Sequence, residues 1–212
     1  MATYAPAVEY SAQGTRLNRR GIKTRKLVLD AAVERLAKGG PDAASANLIA
    51  RDAGVTWGTI QHQFGDADGV WAAVIDHTTS RAMELLDRPL RTTVLRQRVS
   101  DIVNTLWNAY DAPTARAVQN LRLLLPYDPD ELSEQYPKTA RRLRMVDEAW
   151  VSQWSKLFEG LSPSTAKVRE VATMLPGAVR GVHAQSEMAN FGQHTDIARS
   201  CLIEAVTAYL IS

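Results

Sequence analysis

The sequence has very little cysteine and no long hydrophobic run. Its single cysteine, Cys201, cannot form an internal disulfide, which is typical of a reducing cytoplasm. The longest stretch without an ionised side chain is the thirteen residues 53–65, which are too few and too polar to cross a bilayer. The first residues, MATYAPAVEYSAQG, have neither the basic flank nor the apolar run of a secretory signal. We therefore expect a cytoplasmic protein without a membrane segment.

Motifs that indicate an enzyme are also missing. The sequence has no P-loop, no dinucleotide glycine fingerprint and no serine elbow. His183 and Glu187 are spaced to share a helix face and His194 follows, but no further ligand pattern supports a metal site there. We expect no catalytic residue, no metal and no cofactor, and we expect Cys201 to be a small core residue rather than a redox sensor.

Charge is nearly balanced overall but unevenly distributed. The formal net charge is +2, yet residues 1–60 contain nine basic and five acidic side chains. The basic excess is concentrated in RLNRRGIKTRK, residues 16–26, which contains six basic residues and no acidic one. Such a block is typical of a nucleic-acid-binding arm or of a solvated tail.

Nearly every segment has a helical period, and no alternating strand pattern is convincing. We predict an all-α fold of about nine helices, with Ser45 capping the second and Pro176 distorting the penultimate one. The first predicted helix spans 22–38, the second follows Ser45 and reaches about Asp52, the third starts near Thr56, and the fourth begins beyond Asp66 and runs to about Asp87. The remaining predicted spans are 92–111, 114–125, 138–160, 164–191 and 195–211.

Residues 46–64 meet the geometric demands of a helix-turn-helix, in which two short helices cross through a tight turn. Ala50 is small at the crossing, and Gly54 permits the positive φ that the turn requires. The inward positions are apolar: Ile49, Ala53, Val55 and Ile60. These features predict a DNA-reading unit.

The uncharged third helix suits a recognition helix in the major groove. Hydroxyls and amides exchange hydrogen bonds with base edges there, whereas carboxylates are repelled by the phosphates. Gly58 lets the backbone approach, and the basic block adds phosphate contacts. Trp57 as a packed aromatic and His62 as a capping residue are the structural alternatives. The predicted DNA-binding residues are Arg19, Arg20, Lys23, Ser45, Thr56, Trp57, Gly58, Thr59, Gln61 and His62.

LVLDAAVERLAKGG, followed by SANLIARDAGVTWGTIQHQFGDADGVWAAVI, resembles the N-terminal domain of TetR-family transcriptional regulators over residues 22–75. The resemblance places Phe64 at the junction with the fourth helix. The sequence departs from the family at Gln61 and Ala67, where tyrosine and lysine usually contact phosphates. The resemblance implies a flexible basic arm at 1–20, a helix-turn-helix domain at 21–66 and a ligand-binding and dimerisation domain at 67–212.

The resemblance also implies a homodimer built by the last two helices and an effector site among the middle ones. Core packing within one chain is the alternative for both sets of residues. The basic segment KTARRLRM, residues 138–145, either attracts an acidic ligand or forms a solvated face. The predicted interface residues are Val171, Leu175, Val179, Val182, Cys201, Leu202, Ala205 and Val206. The predicted ligand-binding residues are Trp107, Tyr110, Trp150, Trp154 and Phe158.

The resulting prediction is a ligand-responsive transcriptional regulator without a membrane partner. It acts as a repressor that releases a palindromic double-stranded DNA operator when a small, mainly apolar effector binds. The alternative is an apolar-ligand-binding or catalytic helical bundle whose N-terminal module no longer reads DNA, as the departures at Gln61 and Ala67 suggest.

Overall fold

The computed structural model describes residues 10–39, 42–43, 45–86, 90, 92–187 and 194–212. Over these residues the chain is all-α, with ten helices and one isolated bridge between Tyr10 and Arg16, so the predicted fold class is confirmed. None of the described helices is both long enough and apolar enough to cross a membrane. The helices are α1 Arg19–Lys38, α2 Ala46–Asp52, α3 Trp57–Phe64, α4 Ala67–Leu86, α5 Leu95–Tyr110, α6 Pro113–Leu124, α7 Pro129–Gln135, α8 Pro137–Leu157, α9 Thr165–Ser186 and α10 Thr195–Ile211.

The structure adds one helix and moves three predicted helix boundaries by three residues: α1 begins earlier, α5 begins at Leu95 rather than 92, and α8 ends at Leu157 rather than 160. Helix α1 begins three residues early, because the Asn18 side chain accepts a hydrogen bond from the Gly21 amide and caps it. Helix α7 lies where the prolines predict only a break between helices. Pro129 instead occupies the first turn, and the Asp128 carboxylate accepts hydrogen bonds from the amides of Asp130 and Glu131. The predicted end of α9 at residue 191 lies outside the described residues.

The chain divides into two compact units. The first comprises Met1–Arg81 and Ala112–Val146, and the second Ala82–Asp111 and Asp147–Ser212. This division differs from the three predicted functional parts, because α6 packs along α1 and its residues therefore join the N-terminal unit. The functional division into arm, helix-turn-helix domain and ligand-binding domain remains a prediction.

The first unit has a core drawn from α1, α2, α3, α4 and α6. The spacing that predicts an apolar stripe on α1 matches its buried face. The side-chain amide of Asn120 on α6 donates to the carbonyl of Leu36 at 2.7 Å, which satisfies one of the open carbonyls near the end of α1. Core members with almost no exposed surface are Val28, Leu36, Ile49, Ile60, Val74 and Leu121.

The second unit has a core drawn from α5, α9, α10 and the C-terminal part of α8. Arg98 is buried within it, and its guanidinium donates to the carbonyl of Leu157 at 2.6 Å and to that of Thr92 at 2.5 Å. Arg98 therefore holds the C-terminal end of α8 in place. Core members include Ile102, Leu106, Trp154, Leu175 and Val206.

Burial in the second unit revises two expectations. Cys201 is exposed, so its expected place in the core is wrong. Four predicted interface residues pack in the core of their own chain, as the monomer alternative allowed: Val171, Leu175, Val179 and Val206. Val182 and Leu202 are half-buried, and Ala205 is exposed with Cys201. Helix α10 thus has a buried apolar face with Val206 and an exposed one with Cys201 and Ala205. Because both faces are apolar, hydrophobicity alone could not show which one packs in the core.

Candidate nucleic-acid interface

The turn between α2 and α3 has the predicted geometry. Gly54 has a φ of 67°, and the amide of Val55 donates to the carbonyl of Ala50 at 2.9 Å. Ile49 and Ile60 are fully buried. Because the apolar side of both helices is fixed in the core, the opposite side of α3 is presented to solvent.

The exposed side of α3 contains neutral hydrogen-bonding groups. Thr56 caps the helix, since its hydroxyl accepts from the Thr59 amide at 3.2 Å. The two threonine hydroxyls are 3.0 Å apart and form one polar pair. Gln61 and His62 are exposed in the next turn, and Gly58 is exposed between them and the cap. This arrangement can donate to and accept from a base edge without bringing a carboxylate near a phosphate.

Two residues at opposite ends of α3, Trp57 and Gln63, pack within the first unit. Trp57 is half-buried against the core of the first unit, so only part of its ring is free for DNA. Gln63 is buried, and its side-chain nitrogen lies 3.3 Å from the carbonyl of Gly21. The start of α1 therefore lies beside the C-terminal end of α3.

Arg25 belongs to the basic block by sequence but has a structural role. Its guanidinium lies 4.3 Å from the centre of the Phe64 ring and donates to the carbonyl of Gln63 at 2.9 Å. Burial lowers the pKa of Arg25, and the charge of Asp76 opposes this effect. These contacts fasten α1 to the end of α3, so Arg25 is not a free phosphate contact.

The exposed cations at the start of α1 are Arg19, Arg20 and Lys23. No acidic residue lies in the first turn of this helix. Cations near a helix N-terminus are disfavoured by the helix dipole, so Arg19 and Arg20 do not stabilise α1. A phosphate group in front of them would remove this penalty. Their position beside α3 therefore suits contact with a DNA backbone.

Residues 10–17 form a turn that the sequence did not predict. Ser11 is buried, and its amide donates to the carbonyl of Thr15 at 2.8 Å. The amide of Ala12 donates to the carbonyl of His62 at 3.2 Å. Of the arm predicted over 1–20, the described residues 10–17 therefore form a turn that contacts α3, and residues 19–20 belong to α1. The sequence contains little sign of this turn, because serine, glycine and alanine are common in solvated tails, and the one apolar anchor is Leu17, which the structure buries.

The start of α4 is held by an ion pair from a distant segment. The Asp66 carboxylate accepts from the Gly69 amide at 2.7 Å and pairs with the Lys138 ammonium, also at 2.7 Å. Burial raises the pKa of Asp66. The hydrogen bonds from Lys138 and Gly69 and the charge of Lys138 lower it and together outweigh burial, so the net shift of the pKa is downward. Lys138 thus supplies a cation next to Ala67, where the family usually has lysine.

Asp68 and Arg142 extend this connection. The buried Asp68 carboxylate accepts from the amides of Lys138 and Thr139, both at 2.9 Å, and so caps the start of α8. Arg142 lies 3.1 Å from the Asp76 carboxylate. The basic segment 138–145 is therefore partly occupied by ion pairs within the first unit rather than directed towards a ligand.

Ser45 occupies the predicted N-cap position of α2, but its capping hydrogen bond is weak. It is half-buried, and its hydroxyl lies 3.4 Å from the Leu48 amide. This bond is long, so the hydroxyl contributes little as a cap and can still accept another partner.

The predicted effector residues all pack in or against the core of the second unit. Trp154 and Phe158 are buried and stacked, with ring centres 6.4 Å apart, whereas Trp107, Tyr110 and Trp150 are half-buried. Burial agrees with a pocket wall and with ordinary core packing alike. Both alternatives therefore stay open at the level of packing.

His183, which sequence spacing placed in a conceivable metal site, has another environment. Its Nε2 atom lies 2.8 Å from the Asp111 carboxylate, and its ring packs edge-on against Trp107 with centres 4.9 Å apart. Within the described parts of the chain, no group of three or more His, Cys, Asp or Glu side chains is arranged to hold a metal ion.

The ten described helices, with a helix-turn-helix at the N-terminal side, define the class of the fold, which is all-α and TetR-like. Residues 28–74 match the sequence profile of the family described as bacterial regulatory proteins, tetR family. The predicted resemblance to TetR-family transcriptional regulators is thereby confirmed. No curated protein gave a sequence match to this chain.

Solved structures agree with this fold. A transcriptional regulator from Rhodococcus is 15% identical with a TM-score of 0.67, covering 88% of this chain and 95% of its own. NalD from Pseudomonas aeruginosa, a secondary repressor of the MexAB-OprM multidrug efflux pump, is 19% identical with a TM-score of 0.60, at 89% and 98% coverage. A Mesorhizobium loti chain assigned to the TetR family is 18% identical with a TM-score of 0.55, at 90% and 98% coverage. At these identities the likeness concerns the fold.

Proposed function

We propose that this protein is a DNA-binding transcriptional regulator that reads a palindromic operator with α3. The observation that carries this proposal is the uncharged polar surface of α3 and its N-cap, formed by the exposed Thr56, Gln61 and His62 and the half-buried Thr59. Neutral donors and acceptors read base edges, while Arg19, Arg20 and Lys23 contact phosphates.

The recognition surface is tested by combining Thr59→Ala, Gln61→Ala and His62→Ala. A preferred duplex is first selected from random-sequence DNA, and binding is then measured by fluorescence anisotropy at several salt concentrations. We expect the variant to lose about a hundredfold or more in affinity for the selected duplex, because each base contact contributes about 1–3 kcal/mol. Binding to unrelated duplexes should change little.

A matched control replaces three exposed amides outside α3, in the variant combining Gln97→Ala, Gln135→Ala and Gln185→Ala. It should bind the selected duplex like the wild type. If the α3 variant also binds normally, α3 is not the recognition helix. If the wild type selects no sequence and shows no salt dependence, the alternative of a ligand-binding bundle that no longer reads DNA is favoured instead.

The basic surface at the start of α1, formed by Arg19, Arg20 and Lys23, should affect the salt dependence of binding rather than sequence preference. Combining Arg19→Ala, Arg20→Ala and Lys23→Ala should weaken binding to every duplex alike and reduce the salt slope by about one for each phosphate that is no longer neutralised. Arg25→Ala is not an equivalent change, because Arg25 holds α1 against Phe64 and its removal should also lower stability.

We further propose that the regulator is a homodimer and a repressor with a mainly apolar effector. The support for the dimer is a second apolar face on α10, where Ile197, Cys201 and Ala205 are exposed at four-residue spacing. Two copies related by a two-fold axis could contact half-sites about 34–36 Å apart. An effector would release DNA by binding more tightly to the state in which that spacing is lost.

A further inference from the structure

Three buried nitrogen atoms of the second unit lack a hydrogen-bond acceptor. They are Nε of Arg98 and the indole Nε1 atoms of Trp150 and Trp154. Among the described residues of this unit, every buried side-chain polar atom without a partner is therefore a donor. A buried donor without an acceptor is costly, and buried indoles ordinarily find one. The set suits acceptor oxygens supplied from outside the chain.

Arg98 adds a charge to this set. It is 4% exposed, and its contacts among the described residues are carbonyl oxygens, of Thr92, Leu157 and Glu159, rather than a carboxylate. A buried cation without a counter-ion favours an electron-rich group nearby. Because Arg98 binds the Leu157 carbonyl, it lies at the end of the helix that carries both indoles.

The two indoles share one face of α8. Trp150 and Trp154 are four residues apart, which places them one above the other along the helix. Trp150 packs against the same apolar cluster as Trp107 and Tyr110, and Trp154 belongs to that cluster. Donor groups in aromatic surroundings are the arrangement that binds an apolar molecule with one polar end.

We propose that the effector is an apolar ring-containing molecule that carries a carbonyl or carboxylate oxygen, and that this oxygen accepts hydrogen bonds from the indoles of Trp150 and Trp154. The inference rests on the proposed function, because the ligand is an effector only if the protein is a regulator. It adds the chemical class of that ligand. The binding chemistry itself is independent of DNA.

Three probes of nearly equal shape test the proposal: 2-acetylnaphthalene, 2-naphthoate and 2-ethylnaphthalene. Binding is followed on the ¹⁵N-labelled full-length protein, without DNA, through the indole signals assigned by single Trp→Phe variants. At least one oxygen-bearing probe should bind about tenfold more tightly than 2-ethylnaphthalene, as expected for a hydrogen bond to a buried donor. It should also shift the Trp150 or Trp154 indole signal downfield. The order of the ketone and the acid distinguishes a carbonyl from a carboxylate ligand.

Substitutions separate hydrogen bonding from packing. Trp150→Phe and Trp154→Phe keep an aromatic ring and remove the donor, so at least one should reduce the tenfold preference to about onefold. Trp107→Phe is the matched control in the same cluster, and it should weaken all three probes alike. Thermal melting of each variant checks folding, and if Trp154→Phe does not fold, Trp150→Phe decides.

Three results would overturn the inference. They are equal binding of 2-ethylnaphthalene, no binding of any probe, and a preference that survives in every folded indole variant. Binding to the selected duplex is measured separately. If it persists while the probe preference fails, only the effector chemistry is wrong. If DNA binding fails while the preference holds, the ligand site stands and the regulator proposal falls.

Discussion

Gly69 is a position where only glycine fits. A Cβ on Gly69 would lie 1.9 Å from the carbonyl oxygen of Phe64, whereas a Cβ on Gly58 would meet nothing closer than the Thr56 hydroxyl at 3.8 Å. We expect Gly69→Ala to lower the free energy of unfolding by about 3 kcal/mol, because the backbone of the preceding turn would have to move. Urea denaturation measures this decrease.

Gly58→Ala is the matched control. Alanine favours a helix by up to about 1 kcal/mol over glycine, so stability should be unchanged or higher. Binding to the selected duplex should nevertheless weaken, since the added methyl group would separate α3 from the bases. A Gly69→Ala variant as stable as the wild type would contradict the geometry assigned to the start of α4.

Residues of the site are predictable from the sequence when their role depends on local spacing. Gly54 and Ala50 are recognisable because a tight turn makes the same demands in any sequence. The sequence does not predict the roles of Arg25, Asp68 and Lys138, because their partners are distant in the chain. Arg25 binds a residue 38 positions away, and Asp68 binds amides about 70 positions away. Composition shows that such charges exist, but only the folded chain shows which of them are already paired.

The Asp66–Lys138 pair makes an acid-sensitive contribution to stability. The folded-state pKa of Asp66 lies below its ordinary value of 3.8, so this contribution is present above that pH and is lost as the pH falls below it. We expect Asp66→Asn to melt at a lower temperature than the wild type at pH 7 and to lose less on acidification. The effect should be small, because both side chains are about half exposed and solvent screens the pair.

Lys138→Met supplies the check on this pair. It removes the charge that lowers the pKa of Asp66. Like Asp66→Asn, it should therefore lose less melting temperature on acidification than the wild type. Melting curves between pH 7 and about pH 2 make the comparison. If both variants follow the wild-type acid dependence in parallel, the pair does not contribute to the acid transition.

At the scale of elements, the turn at residues 10–17 is a short attachment to α3. We expect Ala12→Pro to release it, because proline has no amide hydrogen to donate to the carbonyl of His62. Losing one hydrogen bond lowers the cost of opening by about 1 kcal/mol, so trypsin should cut after Arg16 about fivefold faster. Gln13→Ala, which keeps every backbone amide, should be cut at the wild-type rate. Equal rates for Ala12→Pro and the wild type would show that the attachment is absent in solution.

Helix types and most boundaries follow from the sequence, whereas the assignment of helix faces does not. The apolar stripe of α1 is recognisable because its other face is charged. Helix α10 is apolar on two sides, so the same residues suit a core and an interface equally well. Burial separates them: Val206 faces the core, and Ile197, Cys201 and Ala205 do not.

At the scale of the whole molecule, this second face of α10 is the contact that we propose for the homodimer. We expect Cys201→Glu combined with Ala205→Glu to shift the protein from dimer to monomer in sedimentation velocity, because two carboxylates would be buried without partners in the interface. The folded state of the monomer should be retained, since neither side chain contributes to the core of its own chain. Gln97→Glu, an exposed change on α5, is the control for added charge and should leave the assembly unchanged.

The same variant separates assembly from recognition. A monomer still has an intact α3 and basic surface, so its binding to unrelated duplexes should be close to that of the wild type at equal subunit concentration. Its affinity for a palindromic duplex should fall by about a hundredfold or more, since the second half-site no longer binds as part of the same complex. A variant that stays dimeric would exclude this face of α10 as the interface. A monomer that keeps full affinity for the palindrome would show that one recognition helix is sufficient.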